Sequence, residues 1–261
     1  MTRLPPEVIR TPNLTNFDCA STKRALTENY VAGFAQRTWT KVLRRYQRRT
    51  EPDRYSDADP FKIVTVSPDS IEIQQSDRFP KWENVSLVCD GSWDRDVEPV
   101  DNRMHRAFRA HFERGIPWSE TAFVRSVYRA VQNGQTAWRC STTAEVHRRC
   151  NTMDLLYESI KQKGYQPKSE LCSPFRNSWR CWYDEVTVNI GRNGKLIRNN
   201  SGKHRLTIAK VQGVPQIPVR ILVRHTNWQR IRDEVRTAES LHRLPRRYRQ
   251  FLDHPDLREF T

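Results

Sequence analysis

Residues 185–225 read EVTVNIGRNGKLIRNNSGKHRLTIAKVQGVPQIPVRILVRH. Apolar and polar residues alternate in its first part, and the turn signal Arg192-Asn193-Gly194 follows, so 185–197 predicts a β-hairpin. A glycine-containing loop then opens a helix that ends before Gly213. The apolar run at 217–223 predicts one further strand. This order of hairpin, loop, helix and strand is the framework for the rest of the chain.

The loop at 199–205 has the features of an anion site. A helix that begins near Lys203 offers free backbone N–H groups and the positive end of its dipole. Gly202 lets the backbone approach an anion closely. The predicted phosphate ligands are Asn200, Ser201, Gly202, Lys203, His204 and Arg205. The alternative is an ordinary helix start with its basic residues in water, since SGKH lacks the full P-loop pattern.

Three segments resemble the ParB/sulfiredoxin-like superfamily. The stretch SGKHRL at 201–206, with Ala209, Gly213 and IPV at 217–219, is similar to its DGxHRxxAxxxxG…IPV signature. VTVSPDSI at 64–71 resembles its first strand, and SIKQKGYQP at 159–167 resembles one of its helix ends. The resemblance implies an α/β (α+β) fold with a small mixed sheet.

The resemblance also implies a domain organisation. It covers 61–225, with a helical insertion at about 102–150. Residues 1–60 are then an amino-terminal extension with a basic helix, and 226–261 an Arg-rich helical tail.

Departures from the signature argue against two functions of the superfamily, sulfinic acid reduction and chromosome partitioning. Ser201 stands where the family has Asp, and Lys203 stands where sulfiredoxins carry their catalytic Cys. Partition proteins have GERR in this loop and a helix-turn-helix after it, whereas this chain has GKHR and a tail without that motif. The chain then resembles the free serine kinases and other nucleotide-dependent enzymes of the superfamily, which imply a phosphotransferase or hydrolase, and also members labelled nucleases. The implied ligand is a nucleoside di- or triphosphate with Mg²⁺.

Phosphoryl transfer needs cations on the phosphates and a carboxylate that orients the nucleophile. The loop GSWDRDVEP at 91–99 follows a predicted strand, and Asp94 or Glu98 is the candidate base, with Asp94 also a candidate Mg²⁺ ligand. Glu185 is a weaker candidate. The alternative for the loop is a solvated turn in which Asp90 or Asp94 caps the next helix.

Basic residues at two further places bear on the ligand. Arg224 and His225 end the last predicted strand, where they either bind substrate or only end the strand. His204 is a phosphate contact or a buried structural residue. Arg205 either binds phosphate or packs on the sheet and pairs with Glu185.

The overall charge favours a polyanionic partner. Lys and Arg total 45 against 30 Asp and Glu, for a formal net charge of +15. Arg-rich segments at 37–49 and 243–249 support a second hypothesis, a DNA-binding protein or nuclease. A third is a non-catalytic interaction module with the same fold.

Compartment and metal content are also predicted. No stretch approaches the ~18 apolar residues of a membrane span, and 1–18 has no apolar core of a signal peptide, so we expect a cytoplasmic protein with reduced thiols. The spacings of Cys140, Cys150, Cys172 and Cys181 contain no chelating pair, so we expect them to bind no metal.

Overall fold

A computed structural model describes residues 35, 38–75, 85–171, 185–199 and 201–261. Within them the chain forms a mixed α+β structure around one open sheet of seven strands. The strands are β1 (Ile63–Val66), β2 (Ile73–Gln75), β3 (Leu87–Cys89), β4 (Val97–Pro99), β5 (Val186–Ile190), β6 (Leu196–Arg198) and β7 (Ile217–His225). The coarse fold class predicted from the sequence is therefore confirmed.

Eight helices accompany the sheet in the described residues. The first, α1, covers 38–50. The others are α2 (Arg103–Arg114), α3 (Ala122–Gln132), α4 (Thr143–Lys163), α5 (Lys168–Leu171), α6 (Lys203–Val211), α7 (Thr226–Thr237) and α8 (Arg246–Arg249). No described helix has the length and apolar character that a membrane crossing requires.

The sheet is built on β7. Its strand order is β1-β7-β5-β6-β2-β4, and β3 also pairs with β7. The β5–β6 hairpin is antiparallel, as its turn signal predicts, while β5 and β3 run parallel to β7. The carboxyl ends of β3, β5 and β7 therefore share one end of the sheet, and the loop before α6 lies at the other.

Two apolar clusters form the core. Val186, Val188 and Ile190 of β5 pack in the first cluster with Leu206 of α6. This cluster also holds Trp228, Leu244 and Leu257, so the predicted tail packs on the sheet core. The second cluster joins α2, α3 and α4 to α6 through Ile208. Helix α6 is thus buried between the sheet and the predicted helical insertion, which fixes the position of its first turn.

The segment before residue 60 is also joined to the sheet. Tyr55 forms an antiparallel bridge to Leu87, and its side chain is buried.

Candidate functional site

The loop before α6 is pressed against the start of β5. Gly202 has a φ of +78°, and a Cβ atom placed on it would lie 2.6 Å from the Cα atom of Val186. The backbone N–H of Ser201 donates to the Thr187 hydroxyl at 3.2 Å. Only glycine fits both this dihedral angle and this contact. Asn200 lies outside the described residues.

His204, in the first turn of α6, is held as a neutral imidazole. Its Nε2 accepts a hydrogen bond from the indole Nε1 of Trp138 at 2.9 Å. Since indole only donates, the ring proton of His204 is on Nδ1. Burial and the positive charges of Arg149, Lys203, Arg139 and Arg198 lower the pKa of His204 to about 4. His204 is therefore uncharged at neutral pH in a strongly positive environment.

A strained turn brings Trp138 to this histidine. Ala137 and Cys140 exchange backbone hydrogen bonds of 3.0 and 2.8 Å across it. The two central residues, Trp138 and Arg139, have φ of 51° and 56°, which is the geometry of a type I′ turn that normally takes Asn or Gly. Each costs roughly 1–2 kcal/mol in this conformation. Strain of this kind concentrates at functional sites.

Two arginines at the site have no counter-charge within the described ranges. The Arg149 guanidinium lies 5.1 Å from the centre of the Trp138 ring, and its Nε is buried without a hydrogen-bond partner. Arg139 is exposed. Neither pairs with a carboxylate anywhere in the described part of the chain. With Lys203 and the N–H groups that begin α6, they form a positive surface suited to an anion.

Glu98 is connected to the end of β6, which leads into the loop before α6, through two buried side chains. Arg198 donates from Nη2 to Gln74 Oε1 at 2.8 Å, and Gln74 donates from Nε2 to Glu98 Oε2 at 3.3 Å. The parallel pairing of Gln74 with Arg198 produces this chain of contacts. The candidate base Glu98 is thus linked to the strand end that leads into the loop.

Of its two predicted roles, Arg205 makes the contact of the second, a pairing with Glu185. Its Nη1 lies 3.4 Å from Glu185 Oε2, its Nη2 donates to the Gln166 carbonyl, and its guanidinium lies 4.2 Å from the centre of the Tyr165 ring. Both charged side chains of the pair are buried, with 7% and 3% of their area exposed. Arg205 therefore faces inward because Glu185 requires a buried counter-charge.

Asp94 does not fit the predicted role of base or Mg²⁺ ligand. Both its oxygens accept from Arg192, with Nε to Oδ2 at 2.8 Å and Nη2 to Oδ1 at 2.6 Å. This pairing lowers the pKa of Asp94 to about 2. Asp94 also contacts Gly191 at the far end of β5 from Gly202, a separation of about 16 Å over five residues. Asp94 joins the segment after β3 to the hairpin turn, and both its oxygens are engaged there by Arg192 rather than open to Mg²⁺.

Arg224 and His225, predicted either to bind substrate or only to end the strand, make contacts within the fold. Arg224 forms two hydrogen bonds to the buried Asp256 carboxylate, at 2.9 and 2.5 Å. His225 Nδ1 accepts from the backbone N–H of Asn227 at 3.0 Å and so caps α7, while its Nε2 lies 3.0 Å from the Gly91 carbonyl oxygen. Both lie at the sheet end opposite to the loop before α6, where Nε and Nη2 of Arg224 and both ring nitrogens of His225 are engaged.

The described cysteines are thiols. Cys140 and Cys150 are buried, and burial raises the pKa of the Cys150 thiol to about 11. Within the described ranges, no three His, Cys, Asp or Glu side chains are grouped as metal ligands. Cys172 and Cys181 lie outside the described residues.

No sequence motif marks Trp138, Arg139 and Arg149 as site residues. They come from the turn after α3 and from α4, more than fifty positions before His204. No local pattern connects them to the loop. The one available signal is the pair of bulky residues at 138 and 139 in a tight turn.

Comparisons of this chain with protein families, curated proteins and solved structures found no match.

Proposed function

We propose that the protein binds the phosphates of a nucleoside di- or triphosphate at the first turn of α6. The observation that carries the proposal is the pair of arginines, Arg139 and Arg149, that lie beside neutral His204 and have no carboxylate partner among the described residues. Lys203 and the first N–H groups of α6 add to the same positive surface. Phosphate oxygens are good acceptors for planar guanidinium groups.

The sequence resemblance supports the same ligand. We propose that the chain is a ParB/sulfiredoxin-like protein, because the hairpin β5–β6, the Gly202 loop, α6 and β7 follow one another in the order of that signature. The tight fit of Gly202 against Val186 gives a physical reason for the glycine of the motif.

The proposed reaction is phosphoryl transfer to a small molecule or to water. Such a reaction depends mostly on positioning and charge neutralisation, which Arg139, Arg149 and Lys203 would provide. The Nδ1–H group of His204 would donate a hydrogen bond to a phosphate oxygen. Glu98, connected through Gln74 and Arg198, is the carboxylate that we assign as the base that orients the nucleophile.

Nucleotide titrations of arginine variants test this proposal. Full-length wild type, Arg139→Ala and Arg149→Gln are titrated with ATP, ADP, GTP, CTP and inorganic triphosphate at low and high salt. Loss of one charge-assisted hydrogen bond of about 1.5–3 kcal/mol predicts an affinity loss of roughly 10- to 100-fold. The matched control replaces Arg125 and Arg129, two exposed residues of α3, with Ala and leaves affinity unchanged.

Two outcomes would contradict the proposal. One is that none of the nucleotides binds to the wild type. The other is that binding is unaffected by both Arg139→Ala and Arg149→Gln. Product analysis with bound nucleotide, comparing wild type with Glu98→Gln, tests the reaction separately from binding.

A further inference from the structure

Helix α1 exposes large aromatic and aliphatic side chains to water. Trp39, Val42 and Tyr46 are 67%, 56% and 64% exposed. Their spacing of three and four residues places them on one stripe of the helix. No described residue covers this stripe, and an exposed apolar stripe of this kind is typical of a surface that contacts another molecule.

The opposite side of α1 holds the helix to the protein through polar groups. Lys41 pairs with Asp59 at 2.5 Å. Arg48 donates to the Tyr55 carbonyl at 2.9 Å and lies 3.5 Å from Asp233 of α7. The usual amphipathic arrangement is therefore inverted, with cations toward the protein and aromatic rings toward solvent.

Two more cations share the exposed side. Arg45 and Arg49 are exposed, lie one turn apart and have no hydrogen-bond or ion-pair partner among the described residues. At 100° per residue around the helix axis, these two arginines and the three apolar residues lie side by side within an arc of about 120°, in the order Arg45, Arg49, Val42, Tyr46 and Trp39. Residues 38–50 contain no acidic residue. The surface formed by these five residues, the α1 face, is thus both aromatic and positive.

We propose that the α1 face binds single-stranded nucleic acid. Trp39 and Tyr46 lie two turns apart, about 10 Å along the axis, so each ring can stack on a different base of one strand. Arg45 and Arg49 lie beside the rings, where they meet the phosphates between those bases. In a duplex the base faces are hidden by stacking, so a single strand uses the rings and a duplex does not. This inference does not depend on the proposed nucleotide site at α6.

A binding series on the full chain tests the proposal. A labelled oligothymidylate, the same length of duplex DNA, and vesicles of anionic phospholipid are the probes. Trp39→Ala is expected to weaken oligothymidylate binding about 5- to 100-fold, and Trp39→Phe to retain most of it. Arg45→Ala with Arg49→Ala is expected to reduce the salt slope of binding by about 1.4. Melting curves check that each variant folds.

The control is again the pair Arg125→Ala and Arg129→Ala, which removes two exposed arginines at the same spacing from α3. The proposal is overturned if this control and the α1 arginine variant lose binding equally, since only net charge then matters. It is also overturned if duplex and single strand bind equally with no effect of Trp39→Ala. Trp39-dependent binding of vesicles without binding of oligothymidylate would assign the α1 face to a membrane surface instead.

Discussion

The indole N–H of Trp138 points at Nε2 of His204 across 2.9 Å. This hydrogen bond joins the turn after α3 to the first turn of α6, two segments that sequence places 66 residues apart. Because Trp138 can only donate, it selects the neutral, Nδ1-protonated form of His204. The surrounding arginines act in the same direction by disfavouring a further positive charge.

A pH-dependent stability follows from His204. Its pKa of about 4 in the folded protein lies below the ordinary value of 6.5. Between these values the unfolded chain binds more protons, so stability is lost as pH falls from 6.5 toward 4 and is restored as pH rises. The contribution is at most about 3 kcal/mol.

Urea unfolding of wild type and His204→Gln at several pH values measures this effect. Gln keeps an acceptor for Trp138 but does not titrate. The pKa values of His105 and His254 are also lowered, so the difference between the two proteins isolates His204. Equal pH dependence in both proteins would contradict the prediction.

Arg205→Ala is expected to act on stability and not on nucleotide affinity. The substitution leaves Glu185 buried without its counter-charge, which costs about 3 kcal/mol or more. Protonation relieves that cost, so the destabilisation is expected to be smaller at acidic pH than at neutral pH. Calorimetric melting and nucleotide titration of the surviving fold measure both quantities.

The double variant Arg205→Ala with Glu185→Gln provides the control. It removes the buried charge together with its partner, and it should recover part of the lost stability. If Arg205→Ala lowers nucleotide affinity without any change in melting temperature, Arg205 binds phosphate and the structural role is wrong.

The hairpin, the loop and α6 could be predicted because their signals are local. Alternation in β5, the Asn193-Gly194 turn and the glycine at 202 each depend on neighbouring residues only. For Arg205 the sequence leaves two roles open, a phosphate contact or a pairing with Glu185, and it could not decide between them because the burial of Glu185, twenty positions away, is set by the fold. The sequence motif is identical whether its arginine faces solvent or a buried carboxylate.

Asp94 lies far from the loop before α6 because of the topology of the sheet. The residue follows the end of a strand, as predicted, but β3 runs parallel to β7, so its carboxyl end lies beside His225. The loop before α6 begins where β6 ends, and β6 is antiparallel to β5. Strand direction within the sheet therefore separates the acid from the loop, and a single sequence does not reveal that direction.

Gly202→Ala is expected to destabilise the fold more than Gly213→Ala. Both glycines have positive φ, but a Cβ at 202 meets Val186 at 2.6 Å, whereas a Cβ at 213 meets nothing within 4 Å. The Gly213 variant measures backbone strain alone, about 1–2 kcal/mol. The Gly202 variant adds overpacking of about 1–3 kcal/mol. Equal denaturation midpoints would show that the loop has room for a Cβ atom beside Val186.

Asp94→Asn is expected to weaken the fold by about 1–2 kcal/mol and to leave nucleotide affinity unchanged, because it breaks the charge pairing with Arg192 at the far end of β5. The pKa of Asp94 is lowered to about 2, so the stability from this pair is present above pH 3.8 and lost as pH falls toward 2. Acid titration of wild type and variant measures it. A loss of nucleotide affinity in the variant would contradict the structural role.

Asp256 is expected to be the most sensitive position of the carboxy-terminal segment. Its carboxylate is fully buried and accepts from Arg224 at 2.5 and 2.9 Å and from Trp228 Nε1 at 2.9 Å, while Arg232 lies 3.4 Å away. These partners hold the pKa of Asp256 well below its usual range. Replacement by Ala leaves two buried guanidinium groups short of a counter-charge, which costs about 3–5 kcal/mol.

The matched control for Asp256→Ala is Asp253→Ala, which removes an exposed carboxylate three positions away. The control should change the free energy of unfolding by no more than about 0.5 kcal/mol. Asp256→Ala should lower the melting temperature by roughly 10 °C, because each kcal/mol lowers it by about 2–4 °C in a chain of this length. Because the pKa of Asp256 is depressed, its stabilisation is complete above the ordinary aspartate value and is lost only as pH falls below it. If the two variants melt together, Asp256 does not hold residues 245–261 on the sheet, and Arg224 would again be available as a candidate ligand residue.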